Sequence, residues 1–276
     1  MGASTPMKTA LLWIITVILT LGSVVYQRMT GPTHPARGSV EINGQEISYR
    51  LLRSHETTDD ARMEIYVPDK DISGEVKLRR YKSYDSWSVE PAVRDSDNLV
   101  ITIPKQPAAG KVMYQITLYD SAGNSYPLTE DYVTIRFKGA VPPFILIPHV
   151  LFMFVGMLLS TRTGLEGIAD GKNLYRLNLL TLISLGLGGL IFGPIVQKYA
   201  FNAFWTGWPF GQDLTDNKTL VAIVFWVVSF FKAKTRGRGM HAWAIIASVV
   251  TLLIYLIPHS TLGSELDYTQ MEDMPK

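Results

Sequence analysis

The sequence contains no cysteine, which fits a protein of the bacterial envelope that folds without disulfides. It also lacks the phosphate-binding loop, the nucleophile elbow, the zincin helix and the dinucleotide fingerprint. The soluble chemistries that these motifs mark therefore receive no support from the sequence.

Charge is missing as well, but only in places. The 26 Lys and Arg and the 24 Asp and Glu all fall outside five long apolar stretches. A charge at the bilayer centre costs at least about 2.5–3.5 kcal/mol on insertion scales, so a chain sorted in this way is an integral membrane protein. The five stretches are residues 10–26, 141–159, 177–196, 220–231 and 241–257.

The fourth stretch is too short to cross a bilayer, because a span needs about 20 residues. Asp213 and Asp216 precede it with the spacing of a helix capping box. In that motif one carboxylate accepts free amide protons and the second reaches back to the cap residue. The spacing predicts a longer helix that begins near Asp213 and brings Lys218 to the membrane surface.

The orientation follows from the basic residues. Segments 160–176 and 232–240 carry three and four basic residues, whereas segment 197–219 carries two and the tail after Pro258 is acidic. Basic loops stay in the cytoplasm, which predicts five spans with the N-terminus inside and the C-terminus outside. Residues 1–30 are the N-terminal transmembrane anchor, with a cleavable signal peptide as the competing interpretation. The predicted location is the bacterial inner membrane.

Residues 38–138 are predicted to form an exported β-domain. Polar and apolar residues alternate around Asn43-Gly44, a dipeptide typical of two-residue hairpin turns. Seven or eight short strands at this spacing favour an α+β membrane protein with an immunoglobulin-like or fibronectin-III-like β-sandwich, in which Trp87 is a candidate core aromatic. Between Arg28 and Lys138 there are 15 basic and 16 acidic residues, so no net field attracts nucleic acid.

Residues 141–259 form the predicted four-helix membrane domain, followed by the acidic tail 260–276. No acid or lysine lies in the middle of a span, which argues against a carboxylate relay for protons or ions. Gly189 and Gly193 have the spacing that allows two helices to approach closely.

His149 is the exception to the apolar rule, and it follows Pro148 in the second span. The tetrapeptide Leu-Ile-Pro-His recurs and ends at His259. Both copies are predicted to lie toward the outer face. Imidazole and carboxylate groups there form a candidate polar or metal cluster, whose ligand set suits zinc or, through the histidines alone, haem iron. Its members are His149, His259, Asp213, Asp216, Glu265 and Asp267.

The competing interpretation is a hydrogen-bonded histidine at a helix interface, since the ligands would have to assemble from separate segments. The aromatic segment 201–218 likewise has two interpretations. It is either an interfacial aromatic belt followed by a helix cap, or a loop that roofs a cavity between the helices. The candidate roof residues are Trp205, Trp208 and Lys218.

Residues 192–218, together with the Pro-His-Ser sequence that begins at Pro258, resemble uncharacterised bacterial polytopic membrane proteins with one exported β-domain. The resemblance implies the architecture and brings no named family, activity or catalytic residue with it.

Three functions remain open. The first is a non-enzymatic envelope protein whose β-domain binds a protein partner or supports assembly. The second is a membrane-embedded enzyme or redox subunit that uses a metal or haem. The third is a small transporter, which the charge-free spans disfavour. The lipid bilayer is the expected environment in all three.

Overall fold

The computed structural model describes residues 6–258 and 265–272. His259 therefore lies outside the described residues. The chain divides into two compact units. One is mainly α-helical and the other is β-rich. Among the described residues, the helical unit comprises 6–32, 141–199 and 203–258, and the β-domain comprises 33–140, 200–202 and 265–272.

Among its described residues, the helical unit contains five apolar helices at the positions of the five predicted stretches. They are α1 (Pro6–Thr30), α2 (Pro143–Ile168), α3 (Leu174–Leu185) continued by a π-helical segment (Gly186–Phe192) and by α4 (Gly193–Phe201), α5 (Leu214–Lys234) and α6 (Met240–Leu256). Four of them, with α3 through α4 counted as one, are long and apolar enough to cross a membrane, while α6 is apolar but only 17 residues long. Apolar helices of this kind belong in a lipid bilayer.

Helix α2 extends beyond its predicted end, whereas helix α5 has its predicted start. Helix α2 continues to Ile168, nine residues beyond the apolar stretch, so Arg162 lies inside the helix and not in a loop. Helix α5 begins at Leu214 with Asp213 as its N-cap, as the capping prediction required. Trp226 is fully buried between α5 and α6, where its Nε1 donates to Thr251 Oγ1 at 2.8 Å.

The β-domain contains eleven strands, several of them very short, among its described residues. They are β1 (Ala36–Ile42), β2 (Gln45–Leu51), β3 (Ser54–Glu56), β4 (Ala61–Tyr66), β5 (Ser73–Arg80), β6 (Ser88–Pro91), β7 (Val93–Asp95), β8 (Asn98–Ile103), β9 (Lys111–Tyr119), β10 (Ser125–Pro127) and β11 (Val133–Lys138). The short helix α7 (Tyr268–Glu272) belongs to the same unit. The longer strands coincide with the alternating sequence runs that predicted them, at 39–50, 62–67, 75–80, 98–103, 111–119 and 132–137. Strands β3, β6, β7 and β10 were not predicted.

The strands form a hairpin and two larger sheets. β1 and β2 pair across the Asn43-Gly44 turn, and both turn residues have positive φ, at 53° and 74°, as the dipeptide predicted. One sheet has the order β3-β11-β9-β5-β6, with β10 on the edge of β9, and the other has the order β4-β8-β7. β3 pairs with β11 in parallel, and the other neighbours are antiparallel.

In the described part of the β-domain, one hydrophobic core joins the hairpin and both sheets. Its members come from alternate positions of the strands, and Tyr114 and Phe137 are its fully buried aromatic residues. Tyr114 donates its hydroxyl proton to the carbonyl of Leu52 at 2.8 Å, so its one polar atom is satisfied. Trp87 was the wrong candidate for a core aromatic, because it is half-buried on the surface and stacks on Tyr132.

Candidate functional site

His149 lies where two irregular helices meet. Helix α2 contains Pro148, which cannot donate a backbone hydrogen bond, and the π-helical segment begins at Gly186 on the neighbouring helix. His149 Nδ1 lies 2.9 Å from the Gly188 carbonyl oxygen. A carbonyl only accepts, so Nδ1 carries the proton and, in the neutral ring, Nε2 is the acceptor nitrogen. π-helical segments of this kind are frequent at functional sites.

The second part of the candidate site is the loop between α4 and α5, which Asp216 holds in place. Asp216 Oδ2 accepts from the backbone N–H groups of Thr206 at 2.7 Å and Gly207 at 3.0 Å, and from Gln197 Nε2 at 3.1 Å. Asn217 Oδ1 accepts from the backbone N–H of Trp208 at 2.7 Å. Two side chains in the first turn of α5, the Asp216 carboxylate and the Asn217 amide, thus bind the loop.

Only half of the predicted capping box is present. Asp213 Oδ1 accepts from the backbone N–H groups of Thr215 at 2.8 Å and Asp216 at 3.2 Å. Asp216, however, does not reach back to Asp213, whose own N–H donates to the Thr206 carbonyl at 2.9 Å. The Thr206 carbonyl accepts the Asp213 N–H that Asp216 would accept in a capping box. The Asp216 carboxylate binds the loop N–H groups instead.

Lys218 is buried and caps a different helix. Its Nζ donates to the carbonyl oxygens of Ile257 at 2.9 Å and Pro258 at 3.2 Å, just after α6. A cation at this position satisfies carbonyls that have no partner inside the helix. The loop aromatics point outward: Trp208 is 67% exposed and Phe210 is 83% exposed, while Trp205 Nε1 donates to the Trp208 carbonyl at 3.1 Å.

The two predicted packing glycines contact different partners. A Cβ at Gly189 would lie 2.6 Å from Thr219 Cγ2 of α5, and one at Gly193 would lie 3.8 Å from His149 Cε1. Further close approaches occur along α2, at glycines that were not predicted as packing positions. A Cβ at Gly156 would lie 2.6 Å from Leu185 Cδ2, and one at Gly167 would lie 2.9 Å from the His241 carbonyl.

A buried ion pair was also missed. Arg162 Nη2 lies 2.7 Å from Glu166 Oε2, and the two side chains are only 4% and 5% exposed. Glu166 Oε1 also accepts from the backbone N–H of Asn173 at 3.0 Å, which ties the turn after α2 to the helix. Arg162 Cζ lies 5.5 Å from the ring of Trp13 in α1, and Nε and Nη1 have no hydrogen-bond partner. The spacing of the pair, four residues on one helix, is the signal that could have found it.

Glu265 and Asp267 belong to the β-domain and not to the helical unit. Glu265 forms ion pairs with Lys111, at 2.5 Å, and with Lys82. Asp267 Oδ1 accepts from the backbone N–H of Thr269 at 3.1 Å. Burial disfavours the charged form of Glu265, but the two ammonium groups outweigh that effect and lower its pKa.

The outward face of the larger sheet carries an aromatic and cationic cluster. The rings of Trp87 and Tyr132 stack with centroids 4.3 Å apart. Arg79 Cζ lies 4.8 Å and Lys77 Nζ lies 5.3 Å from the centroid of Trp87. Val89, which pairs with Lys77 across the strands, is 52% exposed beside them. We call these five residues the Trp87 face.

Within residues 6–258 and 265–272, no group of three or more His, Asp or Glu could hold a metal ion. The metal or haem site stays a prediction, since His259 lies outside these ranges. No protein-family model matches the sequence, and no curated protein matches it.

Proposed function

We propose that this chain is an integral protein of the bacterial inner membrane whose extracytoplasmic β-domain binds a protein partner. In this proposal the helical unit anchors the β-domain, and five helices cross the bilayer with the N-terminus inside and the C-terminus outside. The observation that carries the proposal is the Trp87 face.

Contacts within the β-domain support this topology. Residues 265–269 bind strands of the β-domain, as the ion pairs of Glu265 illustrate, so both segments lie on one side of the membrane. An even number of crossings must then separate residue 138 from residue 265. Helices α2, α3 through α4, α5 and α6 make four. The 17 residues of α6 span about 26 Å, a deficit that a bilayer accommodates by local thinning.

The strand order supports an immunoglobulin-like sandwich. When β4 to β9 and β11 are lettered B, C, C′, D, E, F and G, the two sheets have the orders B-E-D and G-F-C-C′. These are the sheet orders of immunoglobulin domains that carry an additional C′ strand. Domains of this class commonly present a sheet face or their loops to a partner protein.

The composition of the Trp87 face fits a protein interface. Trp, Tyr and Arg are the residues that most often dominate binding energy at interfaces. Here the Trp87–Tyr132 stack and the Arg79 guanidinium are held against one another, so little side-chain entropy is lost when a partner binds. The expected partner is an envelope protein that presents apolar and acidic groups to this face.

A photo-crosslinking residue placed at Val89 tests the proposal in intact cells. We expect a defined cross-linked species that disappears in a Trp87→Ala variant. The control places the same residue at Tyr66, which is 61% exposed on β4 of the other sheet, and should give no such species. Equal cross-linking from both positions, or a species that survives Trp87→Ala, would contradict the proposal.

A further inference from the structure

The β-domain holds a segment of its own C-terminal tail. Tyr268 is only 4% exposed, and its hydroxyl donates to Gln106 Oε1 at 2.8 Å. The guanidinium of Arg80 lies 4.5 Å from the ring centroid of Tyr268. Arg80 is fixed in turn by Asp85, which accepts from Nε and Nη2 at 2.6 Å each. The tyrosine thus enters a site whose cation is already oriented.

Backbone contacts set the path of the tail. The Leu266 N–H donates to the Ala109 carbonyl at 3.0 Å, and the Tyr268 N–H donates to the Lys82 carbonyl at 2.9 Å. Just before these two residues, Glu265 pairs with Lys111 and Lys82. Recognition therefore combines two backbone N–H groups, one carboxylate and one tyrosine three residues later.

The tail does not fill the space available. A groove of about 350 Å³ shares Arg80 and Gln106 with the tyrosine site. A longer peptide could occupy the tyrosine site and the groove together.

We propose that the residues around Tyr268 form a receptor site for an acidic, tyrosine-containing peptide segment of a partner protein, and that residues 265–269 occupy it as a displaceable internal ligand. This inference rests on the proposed function, because it specifies which chemical groups the protein partner of the β-domain presents. The charge complementarity is specific: the site offers Arg80, Lys82 and Lys111, and the ligand offers a carboxylate beside a phenol. We call this the tail site.

The test uses the full chain in detergent and a fluorescent peptide with the sequence of residues 264–270. The tethered tail competes at an effective concentration on the order of mM, so the unmodified protein should bind the peptide weakly. Tyr268→Ala removes the internal ligand and should tighten peptide binding at least about tenfold. Gln270→Ala changes an exposed side chain of the same tail and should leave the affinity unchanged.

Variants of the peptide keep the test independent of protein folding. Replacing its tyrosine by alanine, or its glutamate by glutamine, should each weaken binding to the Tyr268→Ala protein at least about fivefold. Equal peptide affinity for the unmodified and Tyr268→Ala proteins would overturn the inference. So would a peptide affinity that does not change when the peptide tyrosine is replaced by alanine. If the peptide fails while the Val89 cross-link persists, only the tail site is refuted and the proposed function stands.

Discussion

The buried pair of Arg162 and Glu166 gives the sharpest prediction about stability. Each side chain is almost completely buried, at 4% and 5% exposure, and one contact of 2.7 Å joins them. Removing one partner of a buried pair leaves an uncompensated charge and costs about 3–5 kcal/mol. We therefore expect Glu166→Ala to lower the unfolding midpoint by roughly 10 °C, taking about 2–4 °C per kcal/mol for a unit of this size.

The double substitution distinguishes the attraction within the pair from the cost of burying it. Arg162 Nε and Nη1 have no hydrogen-bond partner, so the pair is incompletely satisfied. Replacing an incompletely satisfied pair by apolar residues is often neutral, or stabilising by about 1–4 kcal/mol. Arg162→Met combined with Glu166→Leu should therefore recover most of the stability that Glu166→Ala loses.

Thermal unfolding in detergent, followed by tryptophan fluorescence at a fixed heating rate, measures both variants. Glu166→Gln separates charge from hydrogen bonding, because its amide oxygen can still accept from the Asn173 N–H. Arg176→Ala removes an exposed basic residue and serves as the matched control. If Glu166→Ala unfolds within about 2 °C of the parent, or the double variant is the least stable of the series, the reasoning fails.

Three further predictions concern packing, the loop and the tail. Gly167→Ala should lower the free energy of unfolding by about 1–3 kcal/mol, because its Cβ would lie 2.9 Å from a backbone carbonyl. Gly186→Ala has open space around its Cβ and should be tolerated. Thermal unfolding compares the two variants. Asp216→Ala should speed hydrogen exchange at the backbone amides of residues 206 and 207 by roughly ten- to a hundredfold, since each loses an acceptor worth about 1–3 kcal/mol; unchanged exchange would contradict the role assigned to this carboxylate. The folded-state pKa of Glu265 is lowered, so its ion pairs stabilise the bound tail fully above the unfolded pKa of about 4.3. This stabilisation is lost as the pH falls through the folded pKa. A fluorophore on the tail should report release only in that acidic range, and release at neutral pH would contradict the ion pairs.

The apolar pattern predicted the helices well because burial in lipid requires long uncharged segments. Five helices occur where five stretches were predicted, and the Asn43-Gly44 hairpin has the predicted turn. The short strands β3, β6, β7 and β10 escaped prediction, because three or four residues carry too little alternation to recognise. They are held by neighbouring strands and not by their own sequence.

The end of α2 could not be placed from charge alone. Arg162 looked like a loop residue, because an isolated cation is excluded from an apolar helix. Its partner Glu166 lies one turn later, and the pair is buried as a unit. A count of charged residues treats Arg162 and Glu166 separately, although residues four apart lie on the same face of a helix and can form an ion pair. The signal was present in the spacing, and only the assumption of a loop concealed it.

The polar residues of the helical unit share a role that the sequence could not assign. His149 binds the carbonyl of Gly188, Lys218 binds the carbonyls that follow α6, and Asp216 binds two loop N–H groups. Each partner is a backbone group of an irregular segment: the π-helical segment, the residues just after α6, or the loop between α4 and α5. An unsatisfied backbone group in an apolar unit costs several kcal/mol, so such contacts stabilise the segments in which the regular helix ends or changes. His149 Nδ1, Lys218 Nζ and Asp216 Oδ2 are thus used on the backbone, and a ligand site in this unit needs polar atoms that are not used in this way.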